Sequence, residues 1–132
     1  MFSEALLDHF RNPRNAGELI AATHTVEVSN PVCGDILRLA VRMDGSQIAE
    51  ARFLCRGCTT AIAASSFLAE HLIGATRDTA QEITAEKISE GLGGLPAATL
   101  HGAHLAESAV AALLAALRAA PPGTPRDATP RD

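Results

Sequence analysis

The chain has no tryptophan and no tyrosine among its 132 residues, and only four phenylalanines. The flat side chains on which bases and sugars usually stack are nearly missing, which counts against those ligands. Long apolar runs are missing too: none approaches the roughly 20 residues that a membrane span needs. The start Met1-Phe2-Ser3-Glu4 lacks the basic residues of a secretory signal, so the expected compartment is the cytoplasm, with no membrane partner. Nor is there a basic cluster. Eleven Lys and Arg are scattered among fifteen Asp and Glu, giving a net charge of −4 and no face for a phosphate backbone. Nucleic acid is therefore not an expected partner. Cysteine occurs only three times, an odd number that a closed set of disulfides would not use up, and cytoplasmic thiols stay reduced. Metal or thiol chemistry is the better use for them.

What is present suits a soluble globular protein: 47% of residues are apolar, too many for a disordered chain. At this length roughly two thirds of the unfolded surface can be buried, enough for one core. One domain is expected over residues 1–119. A disordered Pro-rich tail is expected over residues 120–132, where no apolar residue is large enough to dock.

Periodicity divides the domain into elements. Ser3 is placed to cap a short helix whose Leu6, Leu7 and Phe10 share a face, and Asn12-Pro13 stops it. A linker runs to about Thr23. In residues 37–43, Leu37, Leu39, Val41 and Met43 alternate with polar positions such as Arg38 and Arg42, as in a half-buried strand. Asp44-Gly45 signals a tight turn, after which Ala49, Ala51 and Phe53 oppose Glu50 and Arg52. A third strand is expected around Val26 and Val28. Past Cys58 the pattern becomes helical, apolar on nearly every side over residues 61–73, until Gly74 ends it. Asp78 with Gln81 reads as a capping box, and Thr84 caps another short helix that stops before Gly91. Residues 91–96 form a loop. A last helix spans about residues 101–119, with Leu105, Ala109, Leu113 and Leu117 at i+4 spacing, and Pro121-Pro122 breaks it.

Three short stretches carry the chemistry. In Asn30-Pro31-Val32-Cys33-Gly34-Asp35, one residue separates a thiol from a carboxylate, so in extended chain both leave on the same side, with Gly34 allowing a tight turn. Zinc and ferrous iron both accept such a mixture of donors. The plain alternative is a turn in which Asp35 bonds to backbone amides and Cys33 is buried. Cys58 precedes the apolar helix, where the terminal amides favour negative charge. Cys55 stands three residues earlier, and Cys55-Arg56-Gly57-Cys58 also reads as a redox pair or half a zinc knuckle. Strand parity favours core packing for Cys55, on the face of Ala51 and Phe53, and the ligand or redox role stays open. His101 opens the last helix, and His104 lies one turn on, either beside it or solvated. His9, His24 and His71 have no partner pattern and are expected at the surface or at caps.

These stretches, with Leu100-His101-Gly102-Ala103, resemble the scaffold proteins of iron-sulfur cluster assembly, the family of the NifU N-terminal domain and the IscU-type scaffolds. The family pattern reads Cys-Gly-Asp, Gly-Cys and His-Cys; Cys33, Asp35, Cys58 and His101 match it, and Gly102 stands where the last cysteine belongs. The resemblance covers residues 1–119. It implies an α+β fold, a small antiparallel three-stranded sheet packed against several helices. It also implies a metal and cluster site made of Cys33, Asp35, Cys58 and His101. The implied cargo is iron or a transient [2Fe-2S] cluster, with zinc as an alternative occupant. Four donors satisfy tetrahedral zinc without Gly102, whereas a cluster loses its third thiolate and looks to His104 or Cys55 for compensation. The implied role is a scaffold rather than an enzyme, with a cysteine desulfurase and acceptor apo-proteins as partners. A zinc-bound persulfide acceptor for the desulfurase and a degenerate interaction module with a structural metal are the alternatives. Leu95-Pro96-Ala97-Ala98-Thr99 keeps only Leu95 and Pro96 of the Leu-Pro-Pro-Val-Lys segment read by an Hsp70-type chaperone, which puts that partner in doubt.

Overall fold

A computed structural model describes residues 2–31 and 34–119. Cys33 and the tail expected at residues 120–132 lie outside the described residues.

Helix α1 spans Glu4–Arg11. Its cap is Ser3, whose hydroxyl oxygen accepts the Leu6 N–H at 3.0 Å and donates to the Leu92 carbonyl, tying the helix to a distant loop. The buried face of α1 is Leu6 and His9 rather than the expected Leu6, Leu7 and Phe10; Phe10 is exposed. His9 lies inside because it has partners there: its Nδ1 is 2.8 Å from the Ser66 hydroxyl, and its Nε2 is 3.6 Å from Glu70. The surface or cap position expected for His9 is thus corrected.

Three strands follow, β1 (His24–Ser29), β2 (Ile36–Asp44) and β3 (Gln47–Arg56), in an antiparallel sheet of order β1-β2-β3. Leu37, Leu39, Val41 and Met43 all face the core, as their alternation requires. In β3 the alternation breaks. Arg42 pairs with Glu50 but Met43 pairs with Ile48, so Ala49 is the extra residue of a bulge and Ile48, not Ala49, joins Ala51 and Phe53 in the core. The outer edge of β3 is not bare: the Gly17 N–H donates to the Phe53 carbonyl at 2.8 Å, and the Phe53 N–H donates to the Asn15 carbonyl at 3.0 Å. Asn15 takes a left-handed conformation, φ 67°, to make this approach.

Helix α2 (Thr59–Leu72) is central; Ala61, Ala63, Ala64, Leu68, Ala69 and Leu72 are fully buried, which places apolar groups on nearly every side. It packs against α1, against β3 and against the final helix α5 (His101–Ala119). Gly74, at φ 90°, ends the α2 segment. Two short helices intervene, α3 (Arg77–Ala80) and α4 (Ala85–Gly91). The capping box of α3 is Thr76 with Thr79, two residues before the expected Asp78 and Gln81. Thr84 caps α4 as expected, but that helix includes Gly91 and closes at Leu92. A 3₁₀ turn, Ala97–Thr99, leads into α5, whose Leu105, Ala109, Leu113 and Leu117 are all buried and which covers β1 and β2. The fold is α+β, with helices on one face of the sheet.

Candidate metal centre

The β2–β3 register builds the site. Ile36 and Arg56 are paired across the ladder, so the residue before β2 and the residues after β3 emerge at the same end of the sheet. Asp35 is the first of these. Its loop is closed by two backbone bonds, from the Asn30 N–H to the Asp35 carbonyl at 2.8 Å and from the Gly34 N–H to the Asn30 carbonyl at 2.7 Å. Gly34, at φ 77°, takes the left-handed conformation that glycine adopts most readily. Cys58 leaves β3 and becomes the N-cap of α2, though its side chain makes no capping bond and remains exposed. His101 is the first residue of α5.

The ligand atoms of Asp35, Cys58 and His101 all lie within 4.8 Å of one another. Cys58 Sγ is 3.6 Å from His101 Nε2, and that nitrogen is 4.0 Å from Asp35 Oδ2. Two donors bound tetrahedrally to one zinc ion, at sulfur and nitrogen bond lengths near 2.3 and 2.0 Å, stand about 3.5 Å apart. The sulfur and nitrogen are thus already at coordination spacing. Asp35 supplies the third donor and the strongest sign that something belongs here: it is buried, and its Oδ2 has no hydrogen-bond partner. A buried carboxylate oxygen without a partner costs free energy that a cation would recover. Zinc and ferrous iron both accept this set of sulfur, nitrogen and oxygen donors.

The other candidates fall outside this group. Cys55 continues the core-facing parity of Ala51 and Phe53 and is half-buried against the core. Burial, reinforced by the nearby Asp35 and Cys58, pushes its thiol upward in pKa, which keeps the proton on and disfavours metal binding. His104 is exposed, with its Nδ1 3.7 Å from Glu107 on the same helix. His71 is exposed and stacks on Phe67, with centroids 4.0 Å apart. Among the described residues, Asp35, Cys58 and His101 are the one group of three such side chains within reach of a common ion.

Sequence reasoning missed two residues that shape the site. A Cβ on Gly57 would stand 2.8 Å from Asp35 Cγ and 3.0 Å from its Oδ1, so the carboxylate occupies the space that this glycine leaves. Gly102, read from the sequence as a lost ligand, is buried against α2. The signal for Gly57 was present in the Gly-Cys motif but concerned shape rather than donors.

The chain is similar to known proteins over nearly its whole length. The family described as the NifU-like N terminal domain matches residues 1–121. The iron-sulfur cluster assembly scaffold protein IscU of Azotobacter vinelandii is 39% identical over 115 residues, covering 84% of this chain and 89% of that protein. Its namesake in Escherichia coli K12 is 39% identical over 118 residues, covering 86% and 91%. Among solved structures, a protein described as an iron-sulfur cluster assembly scaffold for the SUF system, from Fervidobacterium islandicum AW-1, superposes with a TM-score of 0.66. It covers 86% of this chain and 96% of its own, at 21% identity, and so speaks for the fold alone.

Proposed function

The chain belongs to the NifU-like N-terminal domain family, and from that premise we propose that it is an iron-sulfur cluster assembly scaffold, with Asp35, Cys58, His101 and Cys33 as the residues that hold its cargo. The observation that carries this reading is the buried, unpartnered Asp35 Oδ2 beside a sulfur and a nitrogen already 3.6 Å apart. Cys33 enters through the family pattern as the second thiolate. Iron and sulfide are the substrates, and no small molecule is turned over.

Each residue has a distinct part. Cys58, exposed at the rim, is the thiol that a desulfurase's persulfide reaches; sulfur transfer breaks the donor's S–S bond, releases its thiolate and leaves Cys58 as the persulfide. Conversion of that sulfur to sulfide takes two electrons from an external reductant. Asp35 stays fixed in the floor of the site and supplies negative charge for incoming iron. His101 adds a neutral nitrogen donor. A set with two thiolates holds a cluster less firmly than three would, which suits hand-over to acceptor apo-proteins. The cysteine desulfurase and the acceptors are proposed partners. The Hsp70-type chaperone is not, because only Leu95 and Pro96 of its segment are kept.

A second reading has its own observation. The sulfur-nitrogen spacing fits a tetrahedral ion as it stands, which favours a zinc-bound persulfide acceptor for the same desulfurase. Anaerobic reconstitution with ferrous iron and sulfide separates the two. The scaffold reading expects visible charge-transfer bands, about two irons per chain or dimer, and loss of both in Cys58→Ser. Stoichiometric zinc without colour would sink it in favour of the zinc-bound carrier.

A further inference from the structure

We infer that Gly102 is a positioning residue, the contact glycine that holds His101 at its distance from Cys58, rather than an empty ligand position. The inference rests on the metal-site reading above and concerns the geometry of that same site. A Cβ placed on Gly102 would stand 2.9 Å from the Ala61 amide nitrogen, 2.9 Å from Thr60 Cγ2 and 3.0 Å from the Thr60 carbonyl carbon. Two of these three neighbours are backbone atoms in the first turn of α2, and they cannot swing aside as the tip of a long side chain can. The first turn of α5 therefore lies directly on the first turn of α2.

Those two turns begin at His101 and just after Cys58, so the spacing of the helices sets the spacing of the donors. Any side chain at residue 102 must lift α5 from α2, and His101 leaves with it. A cysteine at residue 102 thus adds a thiolate only by opening the contact that holds the imidazole 3.6 Å from sulfur. Thr60 belongs to the same arrangement. Its methyl fills the space beside Gly102, while its hydroxyl is buried without a hydrogen-bond partner, so what the side chain contributes there is the methyl group. The site is accordingly committed to its present donors and closed to a third thiolate from α5.

Cobalt(II) binding tests this, because sulfur-to-cobalt charge transfer counts thiolates and the d–d bands report coordination geometry. The full chain is titrated anaerobically with Co²⁺ as wild type, Gly102→Ala, Gly102→Cys, Thr60→Ala and the Thr60→Ala/Gly102→Ala pair. Metal-free melting is recorded for each. Gly102→Ala is expected to bind about tenfold more weakly or worse, the range seen when a metal ligand loses its support. Gly102→Cys is expected to bind no more tightly than Gly102→Ala and to gain no charge-transfer intensity. In the Thr60→Ala background one of the three close contacts is gone, so the loss caused by Gly102→Ala is smaller, both in affinity and in melting temperature. Tighter binding by Gly102→Cys with added thiolate intensity overturns the inference, as does wild-type affinity in Gly102→Ala or strict additivity of the pair. If Gly102→Ala does not fold, Thr60→Ala decides: it keeps the glycine and both backbone contacts, so it is expected to fold and to bind Co²⁺ as wild type does, and a Thr60→Ala chain that loses binding overturns the inference. A wild-type chain that binds no Co²⁺ takes down the metal-site reading and this one together; wild-type binding with unaltered variants overturns this one alone.

Discussion

Gly57 controls where the Asp35 carboxylate can sit. The carboxyl carbon lies 2.8 Å from the position a Cβ would take, closer than side chains tolerate, so Gly57→Ala must displace the carboxylate from its present place. Because the two donors stand 4.0 Å apart, a small rotation removes Asp35 from the set. Gly57→Ala should therefore weaken Co²⁺ or zinc binding by about tenfold while leaving the far-ultraviolet circular dichroism unchanged; an unaltered affinity would show that Asp35 is not a ligand. At this scale the sequence was informative about donors and silent about space. Asp35, Cys58 and His101 were named from three separate motifs and meet in the fold. Gly57 enters the sequence reading only as part of the Gly-Cys pattern and Gly102 only as a gap, since a motif records which side chains are present and not which atoms fill the volume a missing one leaves.

Individual helices and strands were legible where burial has a single period. Strand β2 alternates without a fault, and α5 keeps its i+4 apolar series to the end. The bulge at Ala49 left no mark, because one inserted residue shifts the pattern without changing its composition. The cap of α3 was misplaced because Thr76 and Asp78 both open plausible four-residue boxes, and only the hydrogen bonds decide between them. His9 was misplaced because its burial depends on partners in α2, far along the chain. That partnership predicts a pH dependence. Burial, helped by the Arg14 charge, holds His9 below its usual value near 6.5, against the opposing pull of Glu70 and Asp8. The unfolded chain then takes up a proton at higher pH than the folded one. The stability that His9 contributes is complete above about pH 6.5 and is lost as pH falls through the lowered folded value. Melting curves of wild type and His9→Gln should accordingly converge as pH is lowered from 7 to 5. A gap that stays constant over that range removes the protonation argument.

For the molecule as a whole, one core joins the inner face of the sheet to α2 and α5, and its leucines carry much of the stability. Leu113 is fully buried at mid-length of α5. Leu113→Ala should cost about 2–5 kcal/mol, read as a lower urea midpoint at unchanged slope; a loss below about 1 kcal/mol would mean that α5 is not part of the cooperative unit. The order of elements was open to sequence reading because each element has its own period. The packing of α5 onto α2 was not, because two helices of small residues can approach to any depth their side chains allow.

The bonds from residues 15–17 to Phe53 have a bearing on assembly. A bare strand edge is a template on which another chain can add a strand, and long exposed edges invite end-to-end polymers. Here the chain's own linker occupies the outer rim of β3 at its middle, with both Phe53 backbone groups engaged. Growth of a continuous sheet through β3 is thereby blocked by the protein's own backbone. The strand that leads into Cys58 is thus held within the chain's own sheet, with its outer rim already taken.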